Sequence, residues 1–86
     1  MAYSIRITGA ALKQLEKLDK PAQRRILAFL RDKAAVSPRD YGAALEGGLA
    51  GYWKYRIGDY RAIVEIQDSR LIVEAVKVGH RKDVYR

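Results

Sequence analysis

Lys54 and Arg56 stand two residues apart in an alternating run, Trp53-Lys54-Tyr55-Arg56-Ile57, and Arg61 follows beyond Gly58-Asp59. Along an extended strand, side chains two apart leave the same face about 7 Å from each other. Gly-Asp is short enough to reverse the chain as a hairpin turn. The three cations then gather on one surface, with no acid between Lys54 and Arg56. At ~7 Å and an effective dielectric of roughly 20, one such pair repels by about 2 kcal/mol before salt screens it. A bound phosphate relieves that repulsion. Taken singly, each of these side chains reads equally well as solvated surface charge or as a partner of Glu65 or Glu74; the grouping is what points to an anion site.

The C-terminal stretch adds His80, Arg81, Tyr85 and Arg86. An exposed aromatic beside cations stacks an unpaired base, although Tyr85 also suits terminal packing. His80, the single histidine, is an acid/base candidate because imidazole changes charge near neutral pH. Beside a turn it serves equally as a structural residue. The sequence offers no Ser-His-Asp set, no paired carboxylates at a defined spacing and no metal-ligand motif, so no metal and no cofactor are expected. Neither phosphate-cradling glycine pattern is present among Gly42, Gly47, Gly48 and Gly51. Metal-free cleavage of RNA requires none of these. The ribose 2′-OH is the nucleophile, and Lys and Arg side chains supply alignment and charge stabilisation.

Composition agrees with a polyanionic partner. The 86 residues carry 17 Lys and Arg against 10 Asp and Glu, a net charge of +7, which attracts polyanions before specific contact forms. The excess is not packed into a tail: residues 1–51 hold nine basic and five acidic side chains, residues 52–86 eight and five. Length implies one domain, residues 1–86, with a two-layer core. Without cysteine, disulfides, thiolate zinc sites and Cys nucleophiles are excluded. No apolar run approaches a membrane span and the N-terminus lacks a long apolar core, so a cytoplasmic protein without membrane contact is expected.

The elements that must position these residues are readable from periodicity. Residues 2–7 alternate as a strand. Thr8 caps a helix with Ala11, Leu12, Leu15 and Leu18 on one side. Asp19-Lys20-Pro21 closes it and opens a second, since Pro is tolerated in a first helical turn. Ala22, Ile26, Phe29, Leu30 and Lys33/Ala34 mark the inward stripe of that helix, which Ser37-Pro38 ends. Residues 41–51 read as a loop. Residues 52–57, 60–67 and 71–78 read as three strands of an antiparallel meander. The expected fold is α+β: an N-terminal strand and an αα-hairpin packed on one face of a small, mainly antiparallel four-stranded sheet. The hairpin covers one face and leaves the other open and basic.

At this point the chain resembles the RelE/ParE toxin superfamily of bacterial type II toxin–antitoxin systems. The resemblance spans nearly the whole length. It is carried by Leu45-Glu-Gly, by Gly51-Tyr-Trp-Lys-Tyr-Arg-Ile-Gly-Asp-Tyr-Arg61, and by the ending Val78-Gly-His-Arg-Lys-Asp-Val-Tyr85. RelE-like members enter the ribosomal A site and cut mRNA there. Matched position by position, the resemblance implies Lys54 as general base and Arg56 and Arg61 as phosphate and transition-state ligands. It implies Arg81 as general acid or leaving-group stabiliser, and Tyr85 as the residue that stacks on the substrate. Arg56 stands where the comparison has Lys, which keeps the charge but removes a ready proton donor. His80 stands where RelE has another basic residue and some relatives use a histidine, so the acid/base pair stays open between Lys54 and His80. The implied partners are a cognate antitoxin with an acidic or amphipathic segment, the ribosome with its rRNA, and mRNA. Lys13, Lys17, Lys20, Arg24, Arg25 and Arg31 would either grip rRNA or form a solvated helix face. ParE-like members instead poison DNA gyrase without cutting RNA, and generally lack the full basic set with its terminal tyrosine. A non-catalytic nucleic-acid-binding module is the remaining reading.

Overall fold

The computed structural model describes residues 2–82. Its strands are β1 (Ser4–Ile7), β2 (Gly42–Ala44), β3 (Trp53–Ile57), β4 (Tyr60–Gln67) and β5 (Ile72–His80), and its helices are α1 (Gly9–Glu16) and α2 (Lys20–Phe29). The strands form one sheet in the order β1-β5-β4-β3-β2. β1 runs parallel to β5 and every other pairing is antiparallel.

Local chemistry starts both helices where the sequence places them. Thr8 Oγ1 accepts from the Ala11 N–H at 3.2 Å, and Asp19 Oδ1 accepts from the Ala22 N–H at 2.9 Å. Each such cap contributes about 1 kcal/mol. The amide of Gln23 reaches back to donate to the Leu18 carbonyl at 2.8 Å, which satisfies the end of α1 and fixes the sharp turn into α2. Beyond Phe29 the helix widens into one π turn, Leu30–Ala34, closed by the Ala35 N–H on the Leu30 carbonyl at 2.9 Å. That turn holds one residue more than an α turn. It therefore brings Leu30, Ala34 and Ala35 all inward and leaves Lys33 Nζ 5.5 Å above both the Phe29 and the Tyr41 rings.

Both helices lie on one face of the sheet. Leu15, Ile26, Leu30, Tyr55, Ala62, Val64, Val73 and Val78 fill the space between the layers. Tyr55 is wholly buried, and its hydroxyl donates to the Pro38 carbonyl at 2.5 Å. Burial pushes that hydroxyl's pKa up to about 12. At the end of the sheet where β4 turns into β5, Asp68 accepts two hydrogen bonds from Arg39, each 2.9 Å, and one from the Tyr3 hydroxyl at 2.7 Å. These three residues tie the residue before the first strand, the segment after α2 and the last hairpin together.

The sheet has five strands rather than the four expected. The additional strand, β2, falls in the glycine-rich stretch read as a loop, because Gly and Ala carry no strand propensity of their own. Pairing with β3 makes it a strand. Gly42 sits so close to β3 that a Cβ there would press into the Lys54 carbonyl, with Trp53 Nε1 only 2.6 Å away. β5 also runs on to His80, past the expected limit at residue 78.

Candidate functional site

The hairpin between β3 and β4 turns at Gly58-Asp59 with Gly58 at φ 60°, a conformation glycine adopts without steric cost. Its register sets Arg56 directly against Arg61, and Lys54 against Ile63. Tyr55, Ile57 and Ala62 face the helices, so by alternation Lys54, Arg56 and Arg61 face away from them. Opposed side chains start only about 5 Å apart, closer than the spacing along one strand. The Arg61 guanidinium folds over its own turn and donates to the carbonyls of Tyr60 at 3.0 Å and Gly58 at 3.3 Å.

β5 reaches this face through an irregularity. Ile63 pairs with Lys77 but Val64 pairs with Ala75, which leaves Val76 without a partner, a β-bulge. The extra residue reverses the alternation of everything after it. Lys77 and Gly79 join the face of Ile63 and Arg61, while Val78 is turned into the core. The Arg81 N–H donates to the Asp59 carbonyl at 2.8 Å. That bond extends the pairing by one step and puts Arg81 on the cationic side. The bulge thus decides that Arg81 stands with Arg61.

His80 falls on the other face. It pairs with Tyr60, whose ring meets the imidazole edge-on at 5.9 Å, and Nδ1 accepts from the Lys82 N–H at 3.3 Å. With Lys77, Val78 and Gly79 it lines a recess between the free edge of β5 and Gln14, Lys17 and Leu18 at the end of α1. Of the residues singled out from sequence, Lys54, Arg56 and Arg61 share one face of the sheet, with the backbone pairing of Arg81 in phase with them, His80 lies on the other face, and Tyr85 lies outside the described residues. Among the described residues, no carboxylate pairs with Lys54, Arg56 or Arg61; the ion pairs there are Arg31–Asp32 and Arg39–Asp68. Glu65 and Glu74, the acids that could have neutralised the cations, oppose each other further along the sheet.

Two features went unseen in the sequence. The cationic row continues round the edge of β3 into a groove of about 370 Å³, lined by Arg25, Lys33 and Arg56 with Asp32. There the Arg25 guanidinium lies against Gly58. Lys77 is the other. Strict alternation from Val73 and Ala75 would direct it into the core, and a lysine in such a place is the one sequence signal for the bulge. Among the described residues, no group of three or more His, Cys, Asp or Glu side chains is placed to hold a metal ion. No helix there is long and apolar enough to cross a membrane. The assembled chemistry is an amine and three guanidinium groups on one uncovered surface, suited to holding a phosphodiester and spreading its charge.

Comparison with known proteins matches residues 5–85 to the family model described as the ParE toxin of the type II toxin–antitoxin system parDE. The chain is 33% identical over 86 residues to Toxin RelG of Mycobacterium tuberculosis, covering 100% of this chain and 99% of the relative. It superposes on the toxin–antitoxin complex RelBE2 of the same organism with a TM-score of 0.90 at 30% identity, over 94% of this chain and 100% of that one. The isolated RelE toxin of Escherichia coli gives a TM-score of 0.78 at 26% identity, over 98% and 92% of the two chains.

Proposed function

The chain belongs to the RelE/ParE toxin superfamily of type II toxin–antitoxin systems, and on that premise we propose that it is a ribosome-dependent endoribonuclease that cleaves mRNA. The observation that carries this reading is the group of Lys54, Arg56, Arg61 and Arg81 on the face the helices leave open, where no carboxylate of the described residues pairs with any of them. Lys54 takes the proton from the ribose 2′-OH. The 2′ oxygen then bonds to phosphorus and the bond to the 5′ oxygen breaks, leaving a 2′,3′-cyclic phosphate. Arg56 and Arg61 balance the charge that builds on the phosphoryl oxygens, and Arg81 stabilises the departing 5′ oxygen, which takes its proton from water. Tyr85 stacks on a neighbouring base. No metal or cofactor enters the scheme.

A cognate antitoxin silences the protein, in keeping with the RelBE complex it resembles. Its acidic or amphipathic segment covers the basic face. The second reading, a gyrase poison, is favoured by the ParE description of the matching family model. Mapping mRNA 5′ ends after brief induction separates the two. Cleavage within ribosome-covered codons supports the nuclease; intact mRNA with DNA damage overturns it in favour of the gyrase poison.

A further inference from the structure

Next to the cations, the open face carries an apolar recess of about 220 Å³ lined by Leu49, Tyr52, Ile63, Val76 and Lys77. Resting on the nuclease reading, we infer that this recess is a nucleobase-binding subsite, which holds one base of the RNA whose phosphates lie on the cationic row.

Its floor is Ile63, only 2% exposed although it belongs to the face turned away from the helices. Its walls come from the segment before β3, which is tied to itself. The Leu45 N–H donates to the Tyr52 carbonyl at 3.0 Å and the Tyr52 N–H to the Leu49 carbonyl at 3.2 Å. Gly47 at φ 65° and Gly51 at φ 97° allow the bends this requires. Tyr52 and Leu49 are therefore held over Ile63 by a closed loop. Val76, the residue added by the bulge, closes the opposite side.

Size and charge select the occupant. The volume is below the roughly 300–1,000 Å³ of sites for drug-sized ligands, and suits a single planar ring system. Ile63 lies between Lys54 and Lys77 across the sheet, and Arg56 and Arg61 form the next row, about 7 Å further along. A base held between Leu49, Tyr52 and Val76 above Ile63 thus leaves its own phosphate at the cations, within the span of one nucleotide. An apolar floor, an aromatic wall and a cationic rim are the parts with which proteins hold unpaired nucleotides.

The test is titration of isotope-labelled full-length protein with each nucleoside 5′-monophosphate and with ribose 5-phosphate, followed by NMR. Nucleotides are expected to shift the Leu49, Ile63 and Val76 methyls and to bind about tenfold or more tightly than ribose 5-phosphate, which moves only the signals of the cationic row. Tyr52→Ala should erase that advantage and Tyr52→Phe should keep it. Equal affinity for nucleotide and sugar phosphate, or nucleotide shifts that bypass Ile63, overturns the subsite. So does perturbation of the recess by an acidic antitoxin peptide but by no nucleotide, which assigns it to protein binding. None of these readouts uses cleavage, so the subsite can fail while the mRNA 5′ ends still report a nuclease, and the reverse.

Discussion

Arg56 and Arg61 face each other directly across β3 and β4, and no carboxylate of the described residues pairs with either. Like charges in that position oppose folding by roughly 0.2–1 kcal/mol. Replacing Arg56 with Gln should therefore raise the thermal midpoint by about 1–6 °C at low ionic strength, with the gain shrinking as salt screens the pair. The same change should weaken toxicity on induction. A variant that is both more stable and less toxic is the signature of charges retained for a ligand; a midpoint that falls, or does not move, contradicts it.

Lys54 separates proton transfer from simple charge. Arg at this position keeps the positive charge but does not give up its proton. If the Lys54 amine accepts the 2′-OH proton, Lys54→Arg and Lys54→Ala should both lower the cleavage rate on programmed ribosomes by about 10²–10⁴-fold. Binding of single-stranded RNA should survive in the Arg variant and weaken in the Ala variant. Cleavage restored by Arg would reduce Lys54 to a phosphate ligand and return the base to open question.

The sequence displays the cation group because it depends on two local rules: alternation along β3 and a two-residue turn at Gly58. The helix starts at Thr8 and Asp19 are equally local, and both caps form. What stays hidden depends on a partner strand or on a single added residue. β2 exists only through its pairing with β3, since Gly42, Ala43 and Ala44 favour no strand by themselves. The π turn at Leu30 and the bulge at Val76 each add one residue without changing composition. The bulge nevertheless moves Lys77 and Arg81 to the cationic face and His80 to the helix side. His80 and Arg81 are adjacent in the chain and so looked like members of one site. One residue of phase separates them.

Asp68 gives the fold a defined acid response. Hydrogen bonds from Arg39, then from Tyr3, hold its carboxyl down at about 2, below the ordinary 3.8. A depressed folded-state value stabilises the protein above the unfolded value, and that contribution disappears as pH falls from about 4 through 2. Wild type should thus be more stable than Asp68→Asn at pH 6, and the two thermal midpoints should converge toward pH 2. High salt should narrow the gap at pH 6, because the groups are exposed. A gap that is unchanged at pH 2 would show that packing, rather than the Arg39 pair, accounts for it.

Gly42 tests whether β2 supports the site from the edge. A Cβ there meets the Lys54 carbonyl, which is backbone, and the side chains of Trp53 and Tyr55. No flexible group can swing aside to admit it. Gly42→Ala should cost about 1–3 kcal/mol, as overpacking does, and lower the thermal midpoint by roughly 4–20 °C. The relief should come by opening β2 from β3, so amide exchange should rise at Ala43 and Lys54, the hydrogen-bonded pair of that ladder next to Leu45–Tyr52, while the β4–β5 amides stay protected. Because Lys54 is the residue opposite Ala43, the freed edge should also loosen the Lys54 backbone and lower cleavage more than RNA binding. Gly48→Ala, where a Cβ meets nothing within 4 Å, is the matched control and should leave stability and cleavage unchanged. Equal effects from the two substitutions would remove β2 from any part in positioning Lys54.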